Sequence, residues 1–292
     1  MRSPSRPLAA AAVLALAACG STGTSTGTSG GEEGDDGLRV TVSSYPLQYV
    51  AERVTAGRAE VDNLVPPGGD SHDVELTPQQ VGALGEADLV VHVPGLQPAV
   101  DEALGVQPPV SLVDAAPLAD LEGDPHFWLD PTRMAELATR VADAASELDP
   151  DRAGEYAAEA EELGRELAEL DREYATALAP CAGATLVTAH EAFGYLAERY
   201  HLQQLGISGI DPHVEPSPAR LRQVVDTVRG RDVRTVFFEA TTSPAVAETL
   251  AQDLGVRTSV LHPVERVAED QDYPGLMREN LTALTEGLNC RA

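Results

Sequence analysis

The chain has 292 residues, 43% of them apolar, which is enough to bury a sizeable core and long enough for two domains. Its 47 acidic and 20 basic side chains leave a formal charge of -27, which repels phosphate backbones and anionic headgroups and excludes nucleic acid as a partner. The same acidity draws cations nearer only in an unspecific, salt-screened way.

In chain order, Arg2 and Arg6 precede an apolar run over 8–18, the pattern of a secretory signal and too short to span a bilayer. Leu16-Ala17-Ala18-Cys19-Gly20 resembles the bacterial lipobox, so residues 1–18 are expected as a lipoprotein signal peptide and Cys19 as the acylated lipid anchor. Residues 19–37, rich in Gly, Ser, Thr and acids, cannot pack a core and form a flexible tether. The folded part is therefore expected outside the cytoplasm, held at the cell membrane by lipid alone or free in a periplasm.

From residue 38 short β-branched runs alternate with helical segments: strands over 38–43, 59–65, 88–93 and 110–113, helices over 47–55 and 78–85. An Ala- and Glu-rich stretch follows as two long helices, 131–148 and 150–178, broken near Asp149-Pro150. A second unit has strands at 184–188, 202–207, 233–238 and 257–261 and helices at 191–200 and 218–229. Such alternation predicts an α/β fold: an N-terminal lobe over 38–148, a linking helix over 149–179 and a C-terminal lobe over 180–292, each lobe with a parallel sheet. Apart from Cys19 the only cysteines are Cys181 and Cys290, which in an oxidising compartment usually pair; the alternative is two buried free thiols.

Seven histidines sort by position. His72 and His126 lie in loops after strands, while His190 and His262 end the runs Leu186-Val187-Thr188-Ala189 and Ser259-Val260-Leu261. Ligands of open α/β sheets bind beyond the carboxyl ends of the strands, so these four imidazoles are expected to face one interlobe cleft as metal ligands. His92 sits inside Val90-Val91-His92-Val93 and is expected to be structural, His201 to be exposed, and His213 to occupy a turn, with overhanging the cleft as the lesser alternative. Neutral imidazole suits Zn²⁺, Cu²⁺ and Ni²⁺, and four ligands around one ion leave no open position for a reactive water. Glu239, after Val236-Phe237-Phe238, also ends a strand; it either orients a ligating imidazole from behind or serves as a helix N-terminal acid.

Several stretches resemble the metal-binding receptors of bacterial zinc and manganese ABC importers, the high-affinity zinc-uptake family of solute-binding proteins. They are Ser71-His72-Asp73-Val74-Glu75-Leu76-Thr77-Pro78, Asp124-Pro125-His126-Phe127-Trp128-Leu129-Asp130-Pro131 and Val187-Thr188-Ala189-His190-Glu191-Ala192-Phe193-Gly194-Tyr195. Glu215-Pro216-Ser217-Pro218 and Met277-Arg278-Glu279-Asn280-Leu281 match as well, so the resemblance runs from about residue 38 to 288. It implies that His72, His126 and His190 bind metal, and that His190, where manganese-preferring relatives tend to have glutamate, favours zinc. The family's fourth ligand is usually an aspartate in a segment like Leu261-His262-Pro263, where this sequence has histidine. The histidine-rich loop that many zinc members carry is missing, since residues 113–124 contain no histidine.

The implied function is an extracytoplasmic, non-enzymatic receptor that captures Zn²⁺ and delivers it to an ABC importer permease. It is expected as a monomer, receiving its metal free or from a metallochaperone. Alternatives are a secreted zinc-dependent hydrolase, a Mn²⁺-binding member and an adhesin of the same fold. Against the hydrolase, the sequence has no HExxH motif.

Overall fold

The computed structural model describes residues 37–66, 69–239, 245–268 and 270–290; the signal, Cys19 and the tether up to residue 36 fall outside them. The first lobe runs β1 (Leu38–Val42), α1 (Tyr45–Thr55), β2 (Ala59–Asn63), α2 (Pro78–Glu86), β3 (Leu89–His92), α3 (Pro98–Val106) and β4 (Ser111–Asp114). Two long helices follow, α4 (Pro131–Leu148) and α5 (Ala153–Leu178). The second lobe contains β5 (Thr185–Thr188), α6 (Gly194–Arg199), β6 (Gln203–Gly206), α7 (Pro218–Gly230), β7 (Thr235–Glu239), α8 (Ala245–Leu254), β8 (Arg257–Leu261) and α9 (Tyr273–Gly287).

Each lobe is a four-stranded parallel sheet, ordered β2-β1-β3-β4 and β6-β5-β7-β8. The inner strand β3 is buried along its whole length, as expected of a parallel strand covered on both faces, and its sequence is accordingly a nearly unbroken apolar run. Helix starts follow local chemistry. Thr77 and Gln80 form a reciprocal capping box ahead of α2, and Asp130, before Pro131, accepts the Thr132 N–H at 2.8 Å to open α4. Those two caps also fix where the loops carrying His72 and His126 must end.

Helix α5 buries Tyr156, Ala160, Leu163, Leu167, Leu170, Tyr174 and Leu178, a single stripe at steps of three and four residues. At 26 residues it reaches about 39 Å. It is bonded to both lobes: Glu166 takes Arg53 of α1 at 2.8 and 2.9 Å, and Glu173 takes Arg278 of α9 at 2.9 and 3.0 Å. One apolar core runs beneath both lobes, from Val40 and Leu47 through Leu163 to Phe237 and Leu284. A disulfide joins Cys181 to Cys290 with Cα atoms 5.1 Å apart, tying the chain just ahead of β5 to the end of α9. On the chain-entropy model, closing a loop of 109 residues stabilises the fold by about 4–5 kcal/mol.

The helix expected over 191–200 begins only at Gly194. Ahead of it the Glu191 N–H donates to Gly209 and the His190 carbonyl accepts from the Thr188 hydroxyl, so these groups hold a bend instead of a helical turn. Helices α3, α8 and α9 carry no expectation from the sequence and are additions of the structure.

A candidate metal centre at the facing strand ends

The carboxyl ends of the two sheets deliver four donors to one place. His72 lies in the connection from β2 to α2, His126 in that from β4 to α4, and His190 two residues past β5. The fourth donor is Glu265, four residues past the end of β8. One ligand atom from each of these four residues lies within 4.8 Å of the other three. His72 Nε2 is 3.2 Å from His126 Nε2, and Glu265 Oε1 is 3.2 Å from the latter and 3.4 Å from the former. The edge of a tetrahedron around zinc, with bonds of about 2.0–2.1 Å, is roughly 3.3 Å.

Each of the three histidines is held by a carboxylate behind it. Asp124 Oδ1 takes both the His126 main-chain N–H at 2.9 Å and the ring Nδ1 at 2.7 Å, leaving Nε2 for the centre. Glu239, the last residue of β7, does the same for His190 by contacting its Nδ1. Asp70 Oδ1 accepts the His72 N–H at 2.9 Å and fixes the turn that presents that ring. His190 Nε2 is buried without a hydrogen-bond partner, an arrangement that costs free energy unless something else occupies its lone pair.

The charges agree. Burial lowers the His126 pKa, but the bonds to Asp124 and Glu265 outweigh it and push the ring up to about 9. Burial of Glu265 acts upward and is likewise outweighed by His126 and His72, which hold the carboxyl well below the usual carboxylate range. A proton on His126 thus stands in for a cation, and an incoming metal must displace it. Two cavities flank the cluster. One of about 660 Å³ reaches Glu265 past Tyr45, Tyr49 and Arg266; the other, of about 210 Å³, reaches His190 and Glu239 past His213.

His262, expected at the last position, lies outside this group of four, whose fourth member is Glu265. Its main chain is fixed at the end of β8 by Asn280, and its Nε2 lies 3.4 Å from Glu279 on α9. The chain then turns through Val264 at φ +61° and brings Glu265 into the centre instead. Sequence reasoning missed Glu265 because it sought ligands at strand ends; the signal available was a carboxylate three residues past His262 in the same loop. His92 is buried at the end of β3 with Nδ1 3.7 Å from Asp101, and His201 is exposed. His213 is exposed above the smaller cavity, 3.2 Å from Asp70 Oδ2.

Two parallel-sheet lobes on one helical strut, with three imidazoles and a carboxylate converging between them, define a two-lobed metal-binding protein. Residues 40–287 match the family model described as ZnuA, zinc-uptake complex component A, periplasmic, and the chain belongs to that family. It is 32% identical to the high-affinity zinc uptake system protein ZnuA of Bacillus subtilis, across 96% of this chain and 95% of that protein. It is 29% identical to the zinc-binding lipoprotein AdcA of Streptococcus pneumoniae, of which it spans 61%. Among solved structures, the Zn(II)-bound ZnuA-like domain of pneumococcal AdcA aligns with a TM-score of 0.75 at 30% identity, covering 87% of this chain and 99% of that domain. Lmb of Streptococcus agalactiae, described as a bifunctional protein with adhesin and metal transporting activity, aligns with a TM-score of 0.79 at 32% identity, covering 86% of this chain and 100% of that one.

Proposed function

We propose that this protein is the extracytoplasmic receptor of a zinc importer, binding one Zn²⁺ through His72, His126, His190 and Glu265 and releasing it to the permease of an ABC transporter. The observation that carries the proposal is the spacing of the donors, 3.2 to 3.4 Å among His72, His126 and Glu265, with His190 Nε2 beside them buried and without a hydrogen-bond partner. Three borderline nitrogens and one oxygen suit zinc better than Mg²⁺ or Ca²⁺, which take oxygen-rich shells.

Four protein donors close the coordination shell, so the ion has no position for a water to be activated, and the protein binds rather than hydrolyses. Capture and release then depend on the lobes parting enough to expose the donors. Acylation at Cys19 keeps the receptor beside its permease, and the tether lets it reach. Among the described residues no helix is long and apolar enough to cross a membrane.

Protein purified without added metal tests the proposal by elemental analysis and chelator competition. About one zinc per chain is expected, held against manganese in excess. A chain that takes no zinc, or that prefers manganese, contradicts it. Cys19→Ser is expected to move the protein from the membrane to the soluble fraction; an unchanged distribution contradicts the anchor.

A further inference from the structure

The segment Met277-Arg278-Glu279-Asn280-Leu281 on α9 holds none of the metal donors, yet it contains the most completely buried amide near the centre. Asn280 is 0% exposed, and its carboxamide is committed to one residue: Oδ1 accepts the His262 N–H at 2.7 Å and Nδ2 donates to the His262 carbonyl at 2.7 Å. At the next residue the Trp128 indole N–H donates to the Pro263 carbonyl at 2.8 Å, and the Trp128 carbonyl is itself held by the Tyr273 hydroxyl at 2.6 Å. Val264 follows in the left-handed region at φ +61°, which a β-branched residue avoids, with its side chain 1% exposed. Next comes Glu265, and past it Arg266 pairs with Asp70 in the loop that carries His72.

The carboxylate is thus delivered by a backbone turned against its own preference and pinned on both sides. Strained residues persist only where their surroundings over-determine them. A buried amide is costly unless both its functions are paired, and an apolar side chain would fill the same place on α9. Here both functions are paired with the backbone three residues before the ligand.

We propose that Asn280 is a positioning residue that sets metal specificity. By clamping His262 it holds Val264 in its left-handed turn, so that Glu265 presents one oxygen to the ion. This inference rests on the metal centre proposed above. Freed from the clamp, Val264 returns to negative φ and the Glu265 carboxylate gains room to offer both oxygens. The shell then expands beyond four donors and becomes richer in oxygen, which favours manganese at the expense of zinc.

The test uses the full chain with Asn280→Ala and Asn280→Asp, the second keeping the bond from the His262 N–H and losing the one to its carbonyl. Zinc and manganese affinities are measured by competition, and the visible spectrum of the Co²⁺-loaded protein reports coordination number. The parent is expected to give the intense bands of tetrahedral cobalt. In Asn280→Ala the zinc-to-manganese affinity ratio is expected to fall about tenfold, with weaker cobalt bands of five- or six-coordination. Asn280→Asp should fall between the two, and its ratio and spectrum decide the matter if the alanine variant does not fold. A folded variant with an unchanged ratio, or one that loses both metals equally while keeping tetrahedral cobalt, overturns the proposal. A parent that binds neither zinc nor cobalt overturns the metal centre itself, a result distinguishable from failure of the Asn280 clamp.

Discussion

The loops after β5 and β8 each bring one residue to the proposed centre, by opposite means. After β5 the donor comes at once: His190 lies two residues past Thr188, and its ring is aimed by Glu239 from the adjacent strand. After β8 the next residue, His262, is turned aside, and the proposed donor Glu265 arrives only after a left-handed residue and two side-chain clamps. A ligand can be placed from the sequence where it follows directly on its strand. It cannot be where its position depends on a backbone conformation that the residue itself disfavours.

The sharpest break of this comparison is to remove a donor from each loop. His190→Ala and Glu265→Ala are each expected to weaken zinc binding by about 100-fold or more, because loss of an outer partner alone typically costs roughly 10- to 100-fold. Chelator competition measures this, and near-parental affinity in either variant removes that residue from the centre.

Next in size is pH. His126 has its pKa raised to about 9, so at neutral pH its ring holds a proton that zinc must displace. Affinity should therefore weaken about tenfold for each pH unit below about 9 and level off above it. Apparent dissociation constants across that range check the sign and the slope; affinity independent of pH contradicts the assignment.

Glu239→Gln keeps a hydrogen-bonding group on His190 Nδ1 but removes the charge, and a loss of about tenfold is expected. The smallest effect belongs to His262→Ala, within about twofold of the parent, since losing an interaction away from the ion leaves the four donors in place. A tenfold or larger loss there restores His262 to the centre and breaks the contrast between the loops.

Much of this was legible in the sequence. The stripe from Tyr156 to Leu178 announces α5, and β-branched runs announce the strands. His72, His126 and His190 were marked by strand ends and by motif, and the structure gathers them. No helix was expected over 273–287, where the Pro274-Gly275 pair, usually a turn signal, lies in the first turn of α9. Glu265 was hidden for a different reason. Nothing in a valine predicts φ +61°, and the amide that clamps the loop at His262 lies 18 residues away in sequence.

X-ray absorption at the zinc edge of the loaded protein tests the central claim most directly, since it counts the donors and reads their kind. Three imidazole nitrogens and one carboxylate oxygen, at about 2.0–2.1 Å, are predicted. Four imidazoles, a sulfur donor, or a shell completed by water contradicts the His72, His126, His190 and Glu265 centre.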